Sequence, residues 1–160
     1  MKVAGFDDKT AIGKRLRRLS GLIDQDARRL YLDAGVNFEQ RWFGVLNLLM
    51  QNKAMTVKAL AAELLITHAS VSETRRSLEK ENIIQSRADA SDGRQRLLSL
   101  TAKGRRLCEK LQPLWQVLEE TSDELNDEAR NVVAALDRLS AALEKKSLYE
   151  RAAERLSKSL

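Results

Sequence analysis

A single proline, Pro113, interrupts this chain of 160 residues, where average usage of about 5% would supply roughly eight. Proline removes a backbone donor and clashes inside a helix. Its scarcity leaves long helices unbroken and counts against a β-sandwich with a turn every dozen residues. The apolar residues agree. Ile12, Leu16, Leu19, Ile23, Leu30 and Tyr31 recur at three-, four- and seven-residue steps, the period of one helix face. They predict a helix over 9–33, closed by Asp33-Ala34-Gly35 with Gly35 in the left-handed cap position. Asn37 is a candidate cap for a second helix to about Gln51, with Phe38, Trp42, Val45, Leu46 and Leu49 on its apolar face.

Residues 55–82 carry more information. Thr56 is placed to cap a short helix from Val57 to Leu64 or Leu65, and Thr67 to cap another from His68 to about Glu81. Val71, Thr74 and Leu78 then face inward. Two short helices joined by so tight a turn have the dimensions of a helix-turn-helix. The second would present Ala69, Ser70, Ser72, Glu73 and Arg76 from its N-terminal half, the part of a recognition helix that meets base edges. Small side chains permit close approach, hydroxyls meet phosphate or base, and arginine suits phosphate or guanine. His68 begins this helix either as a DNA contact or in a local capping or packing role. Glu73 sets a negative charge on the same face, which repels phosphate unless it reads a cytosine amino group or pairs with Arg76.

Ile83–Arg87 and Arg96–Leu100 then read as two short strands around a turn-rich stretch containing Asp92-Gly93. A hairpin directly after a helix-turn-helix is a wing. Its tip would carry Arg94, flanked by Arg87 and Arg96, and a thin basic tip suits a narrow minor groove. Asp92 is no phosphate contact by charge, and is assigned to holding the turn or the arginine.

Thr101 should cap a long helix from Ala102 to about Glu120, with Leu107, Leu111, Leu114, Trp115 and Leu118 as its stripe and a kink at Pro113. Another follows over 127–146, and Leu148, Ala152, Leu156 and Leu160 extend it or form a last helix. These stripes are too long for a 68-residue winged helix to bury alone. Together with the first helix they predict a dimerisation lobe. The expected fold is therefore mainly α. A winged helix-turn-helix with a two-stranded wing (34–101) joins a helical dimerisation lobe (9–33 and 102–160).

Charge fits this placement. The chain holds 28 Lys/Arg against 23 Asp/Glu, a net of +5. Residues 75–110 alone hold ten basic and five acidic residues. The excess thus falls on the recognition helix, the wing and the start of the next helix, as a DNA footprint would.

Other chemistries find little support. One histidine and one cysteine exclude an internal disulfide and argue against a zinc cage within one chain. Cys108, beside Arg105, Arg106 and Lys110, is a small core residue or a redox-sensitive thiol. The acidic run from Glu119 to Glu128 reads as a solvated face and a helix start. No Ser/His/Asp set, nucleotide loop or metal-ligand spacing occurs, so neither enzyme activity nor a cofactor is expected. Apolar runs fall short of the ~20 residues of a membrane span, and the N-terminus lacks a signal-peptide core. A cytoplasmic protein is the expectation.

The segment Asp92-Gly93-Arg94-Gln95-Arg96-Leu97-Leu98-Ser99-Leu100-Thr101-Ala102-Lys103-Gly104 resembles the wing of MarR-type transcription regulators, with Asp-x-Arg at the tip and Leu-Thr-x-x-Gly leading into the next helix. Leu60-Ala61, Val71-Ser72 and Leu78-Glu79 are similar to that family's helix-turn-helix. The resemblance covers about residues 10–145. It implies a homodimer on a palindromic operator in double-stranded DNA, with a recognition helix over 68–81 in the major groove and a wing over 83–100 in the minor groove. It also implies Arg94 as the minor-groove residue, with His68, Ser70, Ser72 and Arg76 on the recognition helix. Asn82 stands where the family usually has glycine, and asparagine tolerates the left-handed conformation. Thr74-Arg75 replaces a commonly apolar pair, so Arg75 reaches phosphate or the helix rolls. Repression, with release by a small effector near Tyr31, Trp42, Phe43 and Trp115, is the expected regulation. For Tyr31, Phe38, Trp42 and Phe43, which fall within thirteen positions, the competing reading is a packed helix junction. A protein-interaction module built on the dimer lobe is the alternative function.

Overall fold

The computed structural model describes residues 11–88 and 95–159. The elements follow in order as α1 (Ile12–Asp33), α2 (Trp42–Gln51), β1 (Met55–Thr56), α3 (Val57–Leu64), α4 (His68–Lys80), β2 (Ile84–Ala88), β3 (Arg96–Leu100), α5 (Ala102–Glu128), α6 (Val132–Lys145) and α7 (Leu148–Ser159). This is a mainly α chain carrying a winged helix-turn-helix.

Local chemistry sets most of the boundaries. Gly35 takes φ +69° after α1, and the amides of Gly35 and Val36 close on the carbonyls of Leu32 and Tyr31. Thr56 and Thr67 cap α3 and α4, their hydroxyls accepting from the amides of Ala59 and Ser70. Asn82 adopts φ 55°, and the next amide, Ile83 N–H, bonds back to Leu78 O at 2.9 Å. The chain therefore turns off α4 directly into the wing.

Four boundaries differ from the sequence expectation. α2 begins at Trp42, not Phe38. Residues 39–41 form a turn, with Trp42 N–H on Glu39 O and Phe43 N–H on Gln40 O, so Asn37 caps no helix. The wing sheet has three strands, because Met55 and Thr56 pair with Leu98 and Leu97 of β3. α5 continues through Pro113 to Glu128, so the acidic run ends a helix instead of starting one. α6 starts at Val132, after Arg130 and Asn131 both adopt positive φ and Asn131 accepts from Ala134 N–H.

The sheet order is β1-β3-β2, all antiparallel, with Ile84 opposite Leu100 and Ala88 opposite Arg96. Alternation along β3 sends Leu98 and Leu100 into the core.

The chain divides into two compact units, residues 1–112 and 113–160. The first buries Tyr31, Phe38, Leu46, Leu60, Val71, Leu78, Ile83, Leu98 and Leu111. In α1 only Ala27 and Tyr31 are buried, and Ile12, Leu16, Leu19, Leu22 and Ile23 are exposed. In the second unit α6 has no buried residue, and Val133, Leu136, Leu143, Leu148 and Leu156 are exposed. No helix among the described residues is long and apolar enough to cross a membrane.

Candidate nucleic-acid interface

The turn between α3 and α4 is set by Leu65, which takes a left-handed conformation at φ 53° and ψ 38°. Ile66 N–H then returns to Ala61 O at 3.1 Å, the 6→1 closure of a helix end. Val71, Thr74 and Leu78 are buried on one face of α4. The opposite face leaves His68, Ala69, Ser70, Glu73 and Arg76 exposed and Ser72 half-buried. Ser70 also contacts the capping hydroxyl of Thr67 at 2.9 Å.

Arg75 runs along the flank of α4. Its Nη1 lies 3.7 Å from Glu79 Oε1, with both side chains largely covered, and its Nε is buried without a hydrogen-bond partner. Arg87 and Arg96 are exposed at the outer end of the hairpin, where Arg87 faces Leu97 and Arg96 faces Ala88. Asp92 and Arg94 lie outside the described residues.

The base of the wing is locked by the Leu-Thr-x-x-Gly stretch. Thr101 Oγ1 accepts from Gly104 N–H at 3.0 Å and donates to Asn82 O at 2.7 Å and Ile83 O at 3.1 Å. Lys103 Nζ donates to Glu81 O at 2.6 Å, placing a cation at the negative end of α4. The motif therefore ties the end of α4, the first wing strand and the start of α5 together.

A second set of ties escapes sequence reasoning. The Trp42 indole N–H donates to Ser77 Oγ at 3.1 Å, and Ser77 donates to Glu39 Oε1 at 3.1 Å. Arg41 Nε donates to Glu39 Oε2, and its Nη1 to Glu73 Oε1, each at 2.6 Å. These bonds, with Glu73 first, hold the Arg41 guanidinium above its ordinary pKa. Glu73 thus pairs with Arg41 and not with Arg76. The partners are 32 residues apart, and no periodicity signals such a pair.

The aromatic residues near the end of α1 pack closely. The rings of Tyr31 and Phe38 have centroids 4.4 Å apart, and Phe38 meets Trp42 edge-on at 5.5 Å. Tyr31 donates its hydroxyl to Gln40 Oε1 at 3.0 Å. Phe43 is half-buried, and Trp115 is a buried residue of the second unit. Beside this cluster an open cavity of about 440 Å³ lies between Asp24 and Arg28 of α1 and the segment 37–41. Cys108 is buried, and burial pushes its thiol pKa up to about 11. No group of three potential metal ligands converges among the described residues.

The MarR family model matches residues 34–95, the segment containing α2, the helix-turn-helix and the first wing strand. Among solved structures, the chain is similar to MepR of S. aureus in complex with DNA. The two are 25% identical over 83% of this chain and 98% of that one, with a TM-score of 0.67. BpsR of Bordetella bronchiseptica, described with regulation of its DNA binding by 6-hydroxynicotinic acid, is 23% identical over 86% and 98%, with a TM-score of 0.67. PcaV from Streptomyces coelicolor, in complex with its natural ligand, is 22% identical over 88% and 98%, with a TM-score of 0.66. No curated protein sequence matches the chain.

Proposed function

From the MarR-family segment at residues 34–95, we propose that this chain is a homodimeric, cytoplasmic transcription regulator that binds duplex DNA and represses from a palindromic operator. One observation carries the reading. α4 buries Val71, Thr74 and Leu78 while exposing a small, polar and basic face, and a hairpin with basic flanks follows at once.

In this reading α4 enters the major groove through His68, Ser70, Ser72 and Arg76, and the wing enters the minor groove through Arg94. Arg87 and Arg96 supply phosphate contacts, and Asp92 steadies the tip. Arg75, drawn back against Glu79, approaches the backbone from the flank.

Exposed apolar stripes on α1 and on α6 and α7 support dimerisation, since a lone chain gains by covering such surface. The cavity beside segment 37–41, and neighbours of like fold described with small molecules, support release by an effector.

Selection from random duplex DNA tests the function. The expected product is a two-fold symmetric consensus with half-sites about one helical turn apart. A chain that dimerises in sedimentation yet enriches no duplex would overturn the proposal in favour of a protein-interaction module.

A further inference from the structure

Glu73 is a carboxylate on the exposed face of a helix assigned to DNA, with two-thirds of its side chain exposed. By charge alone it opposes phosphate. By geometry it is held: Arg41 grips Oε1, Glu39 grips Arg41, and Glu39 is itself tied to Ser77 and through it to the buried indole of Trp42. Solvent-exposed ion pairs contribute little to stability, so fold stability gives small reason for such a chain of bonds to end at Glu73. What the chain does fix is the direction of the carboxylate. Oε2 has no protein partner among the described residues.

We propose that Glu73 is a specificity-determining residue that accepts a hydrogen bond from a cytosine amino group through Oε2, with Arg41 as its positioning residue. The proposal rests on the DNA-binding reading above.

An ionised carboxylate only accepts hydrogen bonds. In the major groove guanine presents O6 and N7, both acceptors, and thymine presents O4 and a methyl group; each repels or fails to bond it. Adenine donates N6–H but sets the acceptor N7 beside it, whereas cytosine offers N4–H without a neighbouring acceptor of its own. Arg41 also cancels one of the two carboxylate charges it bridges, which lowers the cost of bringing Glu73 near phosphate.

The test compares consensus sites selected from random duplex by the full-length wild type, Glu73→Gln, Glu73→Ala and Arg41→Ala. The wild type should show cytosine at one symmetry-related pair of positions, with roughly tenfold discrimination against other bases in competition binding. Glu73→Gln, which keeps the shape and gains an amide donor, should shift that pair toward adenine. Glu73→Ala should lose the preference, and Arg41→Ala should weaken it without changing the base. Circular dichroism and thermal midpoints check that the surface variants fold.

An unchanged consensus in both Glu73 variants would overturn this inference alone. So would a uniform gain in affinity on every duplex in Glu73→Ala, which would show a carboxylate that merely repels phosphate. A wild type that enriches no duplex would overturn the DNA reading, and this inference with it.

Discussion

A β-carbon on Gly104 would stand 2.0 Å from the carbonyl oxygen of Ile83. Only glycine lets the first turn of α5 approach the wing this closely. The oxygen cannot retreat without breaking two hydrogen bonds, since Ile83 O accepts from the amide and the hydroxyl of Thr101. Gly104→Ala should therefore destabilise the protein by roughly 2–3 kcal/mol, the upper range for overpacking. Urea unfolding measures it, and a loss under 0.5 kcal/mol would show that the junction relaxes freely.

Leu65 presents the opposite case, a strained residue whose backbone is hydrogen-bonded but whose side chain gains no burial in return. The residue is 92% exposed and its backbone is left-handed, a conformation that L-residues other than asparagine and aspartate adopt at a cost of about 1–2 kcal/mol. Leu65→Asn should raise stability by about 0.5–1 kcal/mol. A thermal midpoint equal to or below that of the wild type would contradict this.

Ser77 is the hinge-pin of the ties between segment 39–42 and α4. Ser77→Ala leaves the buried Trp42 indole N–H without its acceptor and should cost about 1–2 kcal/mol. A double-mutant cycle with Trp42→Phe separates the bond from general packing. A coupling energy near zero would mean that the contact carries no stability.

Cys108 should be chemically quiet. With its pKa pushed up to about 11, the thiol stays protonated at neutral pH and should react with a disulfide reagent only as fast as the chain unfolds. The linkage has a definite sign. Below about pH 9 both folded and unfolded states hold the proton and stability is unaffected. Between the unfolded value of 9.0 and the folded value of about 11 the unfolded state ionises first, so stability falls as pH rises. Cys108→Ala should make that fall shallower; identical slopes in denaturation across this window would contradict the assignment.

Arg94 bears on the wing. On the proposed reading, Arg94→Ala weakens operator binding and reduces the steepness of its salt dependence by about one counterion per protomer. Equal affinities and parallel salt curves for the two proteins would remove Arg94 from the interface.

Legibility in the sequence tracks how local the physics is. The helix-turn-helix could be bounded within a residue or two because Thr56 and Thr67 act on amides three positions away. Asn82 and Gly35 likewise reveal themselves, being residue types suited to positive φ where the chain must turn. β1 has no such signal. Two residues make a strand only because Leu97 and Leu98, more than forty positions on, supply the partner. The acidic run 119–128 misleads for a related reason, since a solvated face looks alike at the end or at the start of a helix. The break that matters is the left-handed pair Arg130 and Asn131. Within the candidate site, the exposed face of α4 was legible from spacing, whereas the pairing of Glu73 with Arg41 is a tertiary fact. Charge alone nominated Arg76, the nearer arginine in sequence.

Thr56 belongs to two structures at once: it pairs with Leu97 in the sheet and caps α3. Thr56 thereby joins α3 to the sheet, and Thr101 joins the residues that end α4 to the same sheet. On the proposed reading, α4 and the wing are the two jaws of one caliper whose gap is set during folding. On that reading, a duplex whose grooves are spaced differently has to supply the bending itself, and stiff sequences are refused for their mechanics even where every base edge is correct.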